Sequence, residues 1–246
     1  MVGNMKKIAV LVLLACLGLP ATAGTAGASE PAAALDGKSD SIARIAAFTA
    51  CGDLEKLRPA LAGGLDRGLT VSEVREVLVQ LYAYTGFPRS LNAIHAFMAV
   101  LAEREKAGIH DELGKEATPM PADLDRDRYG AETRARLAGQ DVVPPPSGYQ
   151  LFAPAIDSYL KEHLFADIFF RDNLDWKARE LATAAALAAM HGTAGQQKFH
   201  LGAALNMGWT GEELSRVLDM VGAEVDADLA NEARGVLETV LAARAK

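Results

Sequence analysis

Downstream of position 70 the apolar residues fall at i, i+3, i+4 and i+7, as Val74, Val77, Leu78 and Leu81, and the same spacing returns as Leu214, Val217, Leu218 and Val221. That period lays a single stripe along an α-helix and predicts two helices with one face toward a core. Each stripe opens on a capping box, Thr70 with Glu73 and Thr210 with Glu213. In such a box the hydroxyl and the carboxylate each satisfy a backbone N–H that has no partner within the helix. Gly68 and Gly208 stand just ahead, where a preceding helix can end on a left-handed residue. The predicted pattern is helix, tight corner, helix. Gly192 and Thr193 with Gln196 predict a further corner and capping box, between helices near 177–191 and 194–207. Residues 151–170 read as helical, and 118–127 and 143–148 as loops. Strand-like alternation is almost absent, so the fold class is all-α.

The two stripes belong to a longer self-similarity. Residues 40–101 lie over 180–241 at an offset of 140 without a gap, with Gly52 on Gly192, Leu61 on Leu201, Leu65 on Leu205, Gly68 on Gly208, Val77 on Val217 and Leu78 on Leu218. The shared positions are helix punctuation and core. This predicts two tandem copies, 40–117 and 150–246, joined by a connecting segment, 118–149.

The beginning of the chain follows a different rule. Lys6 and Lys7 precede the apolar run 8–19, and Ala21-Thr22-Ala23 follows in a cleavage-like order, with a second such triplet at Ala26-Gly27-Ala28. This is the layout of a secretion signal spanning 1–23, cleaved after 23 or 28, which predicts a periplasmic or secreted protein. The run is shorter than the roughly 20 residues of a membrane span. Lipid attachment at Cys16 and an uncleaved anchor are the rival readings.

Charge and cysteine content narrow the chemistry. Loss of the signal would take Lys6 and Lys7 from a chain of net charge −7 and leave −9. An acidic surface opposes nucleic-acid binding, which needs clustered Lys and Arg. It would also leave Cys51 as the sole cysteine, so neither an intramolecular disulfide nor a paired-cysteine metal or redox motif can form. No metal or cofactor is expected.

Two runs of sequence carry a family resemblance. The first passes from Gly68 through Tyr82, Tyr84, Gly86-Phe87-Pro88 and Asn92 to His95. The second passes from Phe165 through Arg171, Arg179-Glu180-Leu181 and Gln197-Lys198-Phe199-His200 to Asn206-Met207-Gly208. Together they resemble the carboxymuconolactone decarboxylase family, over most of 41–241. The resemblance implies an alkylhydroperoxidase D-like helical fold, association into oligomers (a homotrimer where each chain carries two copies), and either decarboxylase or peroxidase chemistry. The peroxidase branch uses a C-x-x-C pair, whereas the corresponding stretch here, Thr193 to His200, has no cysteine. Thiol chemistry needs a thiolate, so that mechanism is not expected.

His200 shares a helical stripe with Leu201, Ala204 and Leu205, and an imidazole titrating near neutrality can shuttle a proton. Glu180 lies on the face of Ala184 and Leu187, where it can orient His200; a first-turn acid facing the helix dipole is its plainer reading. The first copy has Asp40 and Ala60 at these places, while the second has Gly222, Glu224, Asp226 and Asp228 in place of Tyr82, Tyr84, Gly86 and Pro88. One composite site per chain follows, with His200 and Glu180 catalytic and Tyr82, Tyr84 and Gln197 beside the substrate. Degeneration of both sites explains the same pattern. Arg171 and Arg179 are candidates to hold a substrate carboxylate, with surface ion pairs as the alternative. His95, on the stripe of Leu91 and Met98, is expected to pack, and Cys51 to be a small buried residue. Two functions remain: a carboxy-lyase acting on a small carboxylated lactone or unsaturated acid, or a helical binding or assembly module without thiol chemistry.

Overall fold

The computed structural model describes residues 34–245. The signal-like segment, both candidate cleavage sites and Cys16 lie outside them. Among the described residues there are helices and no strands.

Helix α1 (Gly37–Cys51) starts on Asp36, whose carboxylate accepts from the N–H groups of Lys38 and Ser39, and ends on Gly52 at φ 81°. Helix α2 (Leu54–Asp66) is capped by Asp53. Helix α3 (Val71–Lys106) begins with the Thr70–Glu73 capping box and breaks at Gly86, where φ is 80° and ψ 160°. Pro88 sits two residues on, at the start of the second half, where its fixed φ suits a helix and its missing N–H costs nothing. Helix α4 (Arg126–Leu137) follows, inside the predicted connecting segment. Two short turns, α5 (Tyr149–Phe152) and α6 (Pro154–Ser158), lead into a π-helix, Tyr159–Ile168. Helices α7 (Trp176–Ala188), α8 (Ala194–Asn206), α9 (Gly211–Glu224) and α10 (Ala227–Arg244) complete the chain.

The punctuation recurs at one offset. Both ends of α8 lie 140 residues beyond the ends of α2, and α9 starts 140 beyond α3. The Thr210–Glu213 capping box matches that of Thr70. Where Gly86 breaks α3, Asp226 separates α9 from α10. Gly68 and Gly208 have φ of 88° and 93°, a left-handed conformation that a side chain disfavours.

Helix α1 packs against α7, α2 and α3, and α7 against α8 and α3. The main core joins Ile45, Ala46, Leu57, Leu61, Val77, Leu78 and Leu81 to Leu181, Leu201, Leu214 and Leu218. The facing helices α1 and α7 are rich in buried alanine, including Ala46, Ala47, Ala182 and Ala185, which lets backbones approach without a side chain between them. A second, smaller core of Leu137, Leu164, Phe165, Ile168 and Phe169 lies where α4 meets the π-helix.

Three local expectations fail. Thr193 makes no capping bond to α8; its hydroxyl turns back and donates to the carbonyls of Leu187 and Met190. Those carbonyls lie at the end of α7, which closes at Ala188 with tighter i−3 bonds from Ala189 and Met190, so the hydroxyl serves the outgoing helix. His95 does not pack: the buried face of that half of α3 is Ala93, Ala96, Phe97 and Val100, while Leu91 and Met98 are 47% and 60% exposed. The spacing of Leu91 and Met98 marks one face of a helix but not which face meets the core; here the core side is the face of Ala93, Phe97 and Val100. Cys51 is half-buried rather than buried, its thiol beside the carbonyl of Phe48.

Candidate functional site

Helix α7 starts on Asp175, which accepts from the Ala178 N–H. Glu180 then falls in the second turn on the buried face, with no exposed surface. Across the corner at Gly192, α8 brings His200 opposite, and His200 Nδ1 lies 2.8 Å from Glu180 Oε2. A carboxylate can only accept, so Nδ1 carries the proton when His200 is neutral, and His200 lines a cavity. Burial would make this carboxylate costly without a partner.

The imidazole is held on two sides by rings. Tyr84 meets it edge-on at 5.2 Å between centroids, and Phe199 does so at 5.0 Å. Tyr84 lines the cavity, and its hydroxyl is buried. Burial and the neighbouring Glu180 carboxylate both push the phenol well above its ordinary value, so it stays protonated. Glu180 Oε1 is likewise buried and without a hydrogen bond.

Behind the pair runs a polar spine that ties α3 to α7. Glu76, fully buried, accepts from the guanidinium of Arg179 at 2.8 Å and from Arg171 Nε at 2.9 Å. Burial alone would raise its carboxyl; the two guanidiniums outweigh that and hold it below the usual range. Gln80 donates to the Arg179 carbonyl and to the Thr183 hydroxyl and accepts from Arg179 Nη1. Glu76, Gln80 and Tyr84 are spaced i, i+4, i+8 and so share one face of α3. The buried bonds at the first two fix the register that sets the third over His200.

The cavity has a volume of about 560 Å³ and is walled by Ile156, Leu160, Leu164, Phe165 and Phe199, with His200, Tyr84, Gln196, Tyr149 and Arg134 as its polar members. That size is ordinary for a small-molecule site (roughly 300–1,000 Å³). Of the residues expected beside a substrate, Tyr84 lies on the wall. Tyr82 instead stacks on Phe87 at 4.6 Å and tilts against His163. Gln197 is buried with its amide nitrogen unpaired, and its neighbour Gln196 faces the cavity. Arg171 and Arg179 do not form a carboxylate clamp at the cavity, because both are closed on Glu76. Arg179 is not a surface ion-pair residue either, being wholly buried.

The residues sequence reasoning passed over are Glu76, Gln80, Arg134 and Tyr149. The first two carried a signal, polar side chains in step with Tyr84 inside an apolar helix. Arg134 carried none, since α4 has charged residues on every side and no stripe. Among the described residues no cluster of His, Cys, Asp and Glu could hold a metal ion.

Fold and site together define an all-helical protein with a buried carboxylate–histidine pair on the wall of an apolar cavity. Residues 154–239 match the model of the Carboxymuconolactone decarboxylase family. The matched stretch contains the π-helix and both Glu180 and His200. Among curated proteins nothing matches the chain.

Proposed function

We propose that the protein is a carboxymuconolactone decarboxylase-like enzyme that decarboxylates or otherwise lyses a small unsaturated acid or carboxylated lactone, with His200 as general acid and base. The observation that carries this reading is the 2.8 Å contact between Glu180 and His200 on the wall of a small-molecule cavity. Glu180 holds Nδ1–H, fixing the tautomer and stabilising the imidazolium. In a decarboxylation the C–C bond to the carboxylate breaks, its electron pair moves toward a neighbouring carbonyl, and CO₂ leaves. A proton taken up from solvent at Nε2 is delivered to the carbon that held the carboxylate, and the imidazole returns to its neutral form. A thiol peroxidase route has no support, because residues 193–200 contain no cysteine.

Turnover of a panel of small unsaturated acids and lactones tests the proposal. His200→Ala should lower kcat about 100-fold or more, the range for loss of a positioned acid–base group, and Glu180→Gln should also lower it while leaving KM nearly unchanged. Equal turnover by wild type and His200→Ala would refute the reading and leave a helical binding module in its place.

A further inference from the structure

The cavity that His200 lines also carries a cation from α4. Gly130 lodges this helix against the π-helix so closely that a Cβ there would lie 1.9 Å from the Lys161 carbonyl oxygen. Arg134, one turn on and so on the same face of α4, reaches the cavity wall. Its Nη1 donates to Asp157 Oδ1 at 2.7 Å, and the Tyr149 hydroxyl stands 3.4 Å from the same nitrogen. Gln150 Nε2 donates to that carboxylate oxygen at 2.9 Å, so the residue that orients Arg134 is itself fixed.

Two cations and two carboxylates meet here. Lys161 is paired chiefly with Asp127, at 2.5 Å, and more loosely with Asp157, at 3.4 Å. That leaves Asp157, 10% exposed, as the partner of Arg134, itself 17% exposed. The two cations, acting with the Gln150 amide against the cost of burial, hold the Asp157 carboxyl below its ordinary range. A guanidinium has five N–H donors in a planar fork. With Nη1 committed to Asp157, the rest of the fork can meet a carboxylate.

Resting on the reading of this cavity as the substrate site, we propose that it takes a carboxylic acid with an apolar body, its carboxylate read by Arg134 and Tyr149. The body lies against Leu160, Leu164, Phe165 and Phe199. Asp157 and Gln150 are positioning residues, acting through Arg134.

Calorimetric titration with octanoate, and with 1-octanol as its uncharged counterpart, tests this. Wild type should bind octanoate more tightly than octanol. Arg134→Gln should weaken octanoate about tenfold or more, as expected for a charge-assisted bond, and leave octanol unchanged; Arg134→Lys should restore part of the loss. Should Arg134→Gln fail to fold, Tyr149→Phe decides, with a smaller loss confined to octanoate. Octanoate affinity that survives in the folded Arg134 variants, or that survives in Tyr149→Phe where those do not fold, overturns the proposal, as does equal binding of acid and alcohol by wild type. Failure of the acid–base reading shows as turnover that survives in His200→Ala, and failure of this inference as octanoate affinity that is indifferent to Arg134 and Tyr149.

Discussion

Glu76 shows how one buried charge can serve a site it never touches. Removing it leaves the Arg179 guanidinium buried without a counter-charge, so Glu76→Ala should cost about 3–5 kcal/mol of stability, read by urea unfolding. The pH dependence has a definite sign. The folded protein holds this carboxyl below its ordinary value of 4.5. The stabilisation is therefore complete above about pH 4.5 and is lost as the pH falls through the lower, folded-state value. Wild type should lose stability over that acid interval, and Glu76→Gln, less stable at neutral pH, should lose less of it. Identical acid unfolding profiles for the two would contradict the account.

At the scale of elements, the contact that shapes the cavity is α4 against the π-helix. Runs of π-helix are rare and mostly single turns; here one spans Tyr159–Ile168 and supplies Leu160, Leu164 and Phe165 to the wall. The close approach at Gly130 meets backbone, not a flexible side chain, so it cannot relax cheaply. Gly130→Ala should push α4 outward at a cost of about 1–3 kcal/mol, the range for overpacking, seen as a lower Tm. It should also weaken octanoate binding, because Arg134 moves with the helix. An unchanged Tm would show that α4 sits more loosely than described.

For the whole molecule, the helices at offset 140 support a proposed tandem duplication in which each copy has kept part of one site: Tyr84 in the first, Glu180 and His200 in the second. The second half of α3 leaves Phe87, Leu91 and Met98 exposed, and apolar side chains grouped on one helix favour self-association. We expect a homo-oligomer, with a trimer as the preferred closed form. Sedimentation at micromolar concentration should show it, and a monomer there would refute association. Among the described residues no helix is long and apolar enough to cross a membrane.

Much of this was legible in the chain because helix punctuation is a local affair. A Thr three residues before a Glu, or a Gly ahead of a cap, acts within one turn, and so the corners at 68–70 and 208–210 and the faces of Glu180 and His200 could be read from spacing. Arg179 read as a surface or substrate-facing cation because its partner, Glu76, lies 103 residues away, and no periodicity reports a bond across that distance. The same holds for Arg134, whose helix has no stripe and whose place depends on a glycine meeting a distant carbonyl. Sequence determined the capped helices around the corners at 68–70 and 208–210 and the inward faces of Glu180 and His200. Only the tertiary structure decided which buried charges neutralise one another and which remain at the cavity, because that balance is set by distances between elements that packing alone brings together.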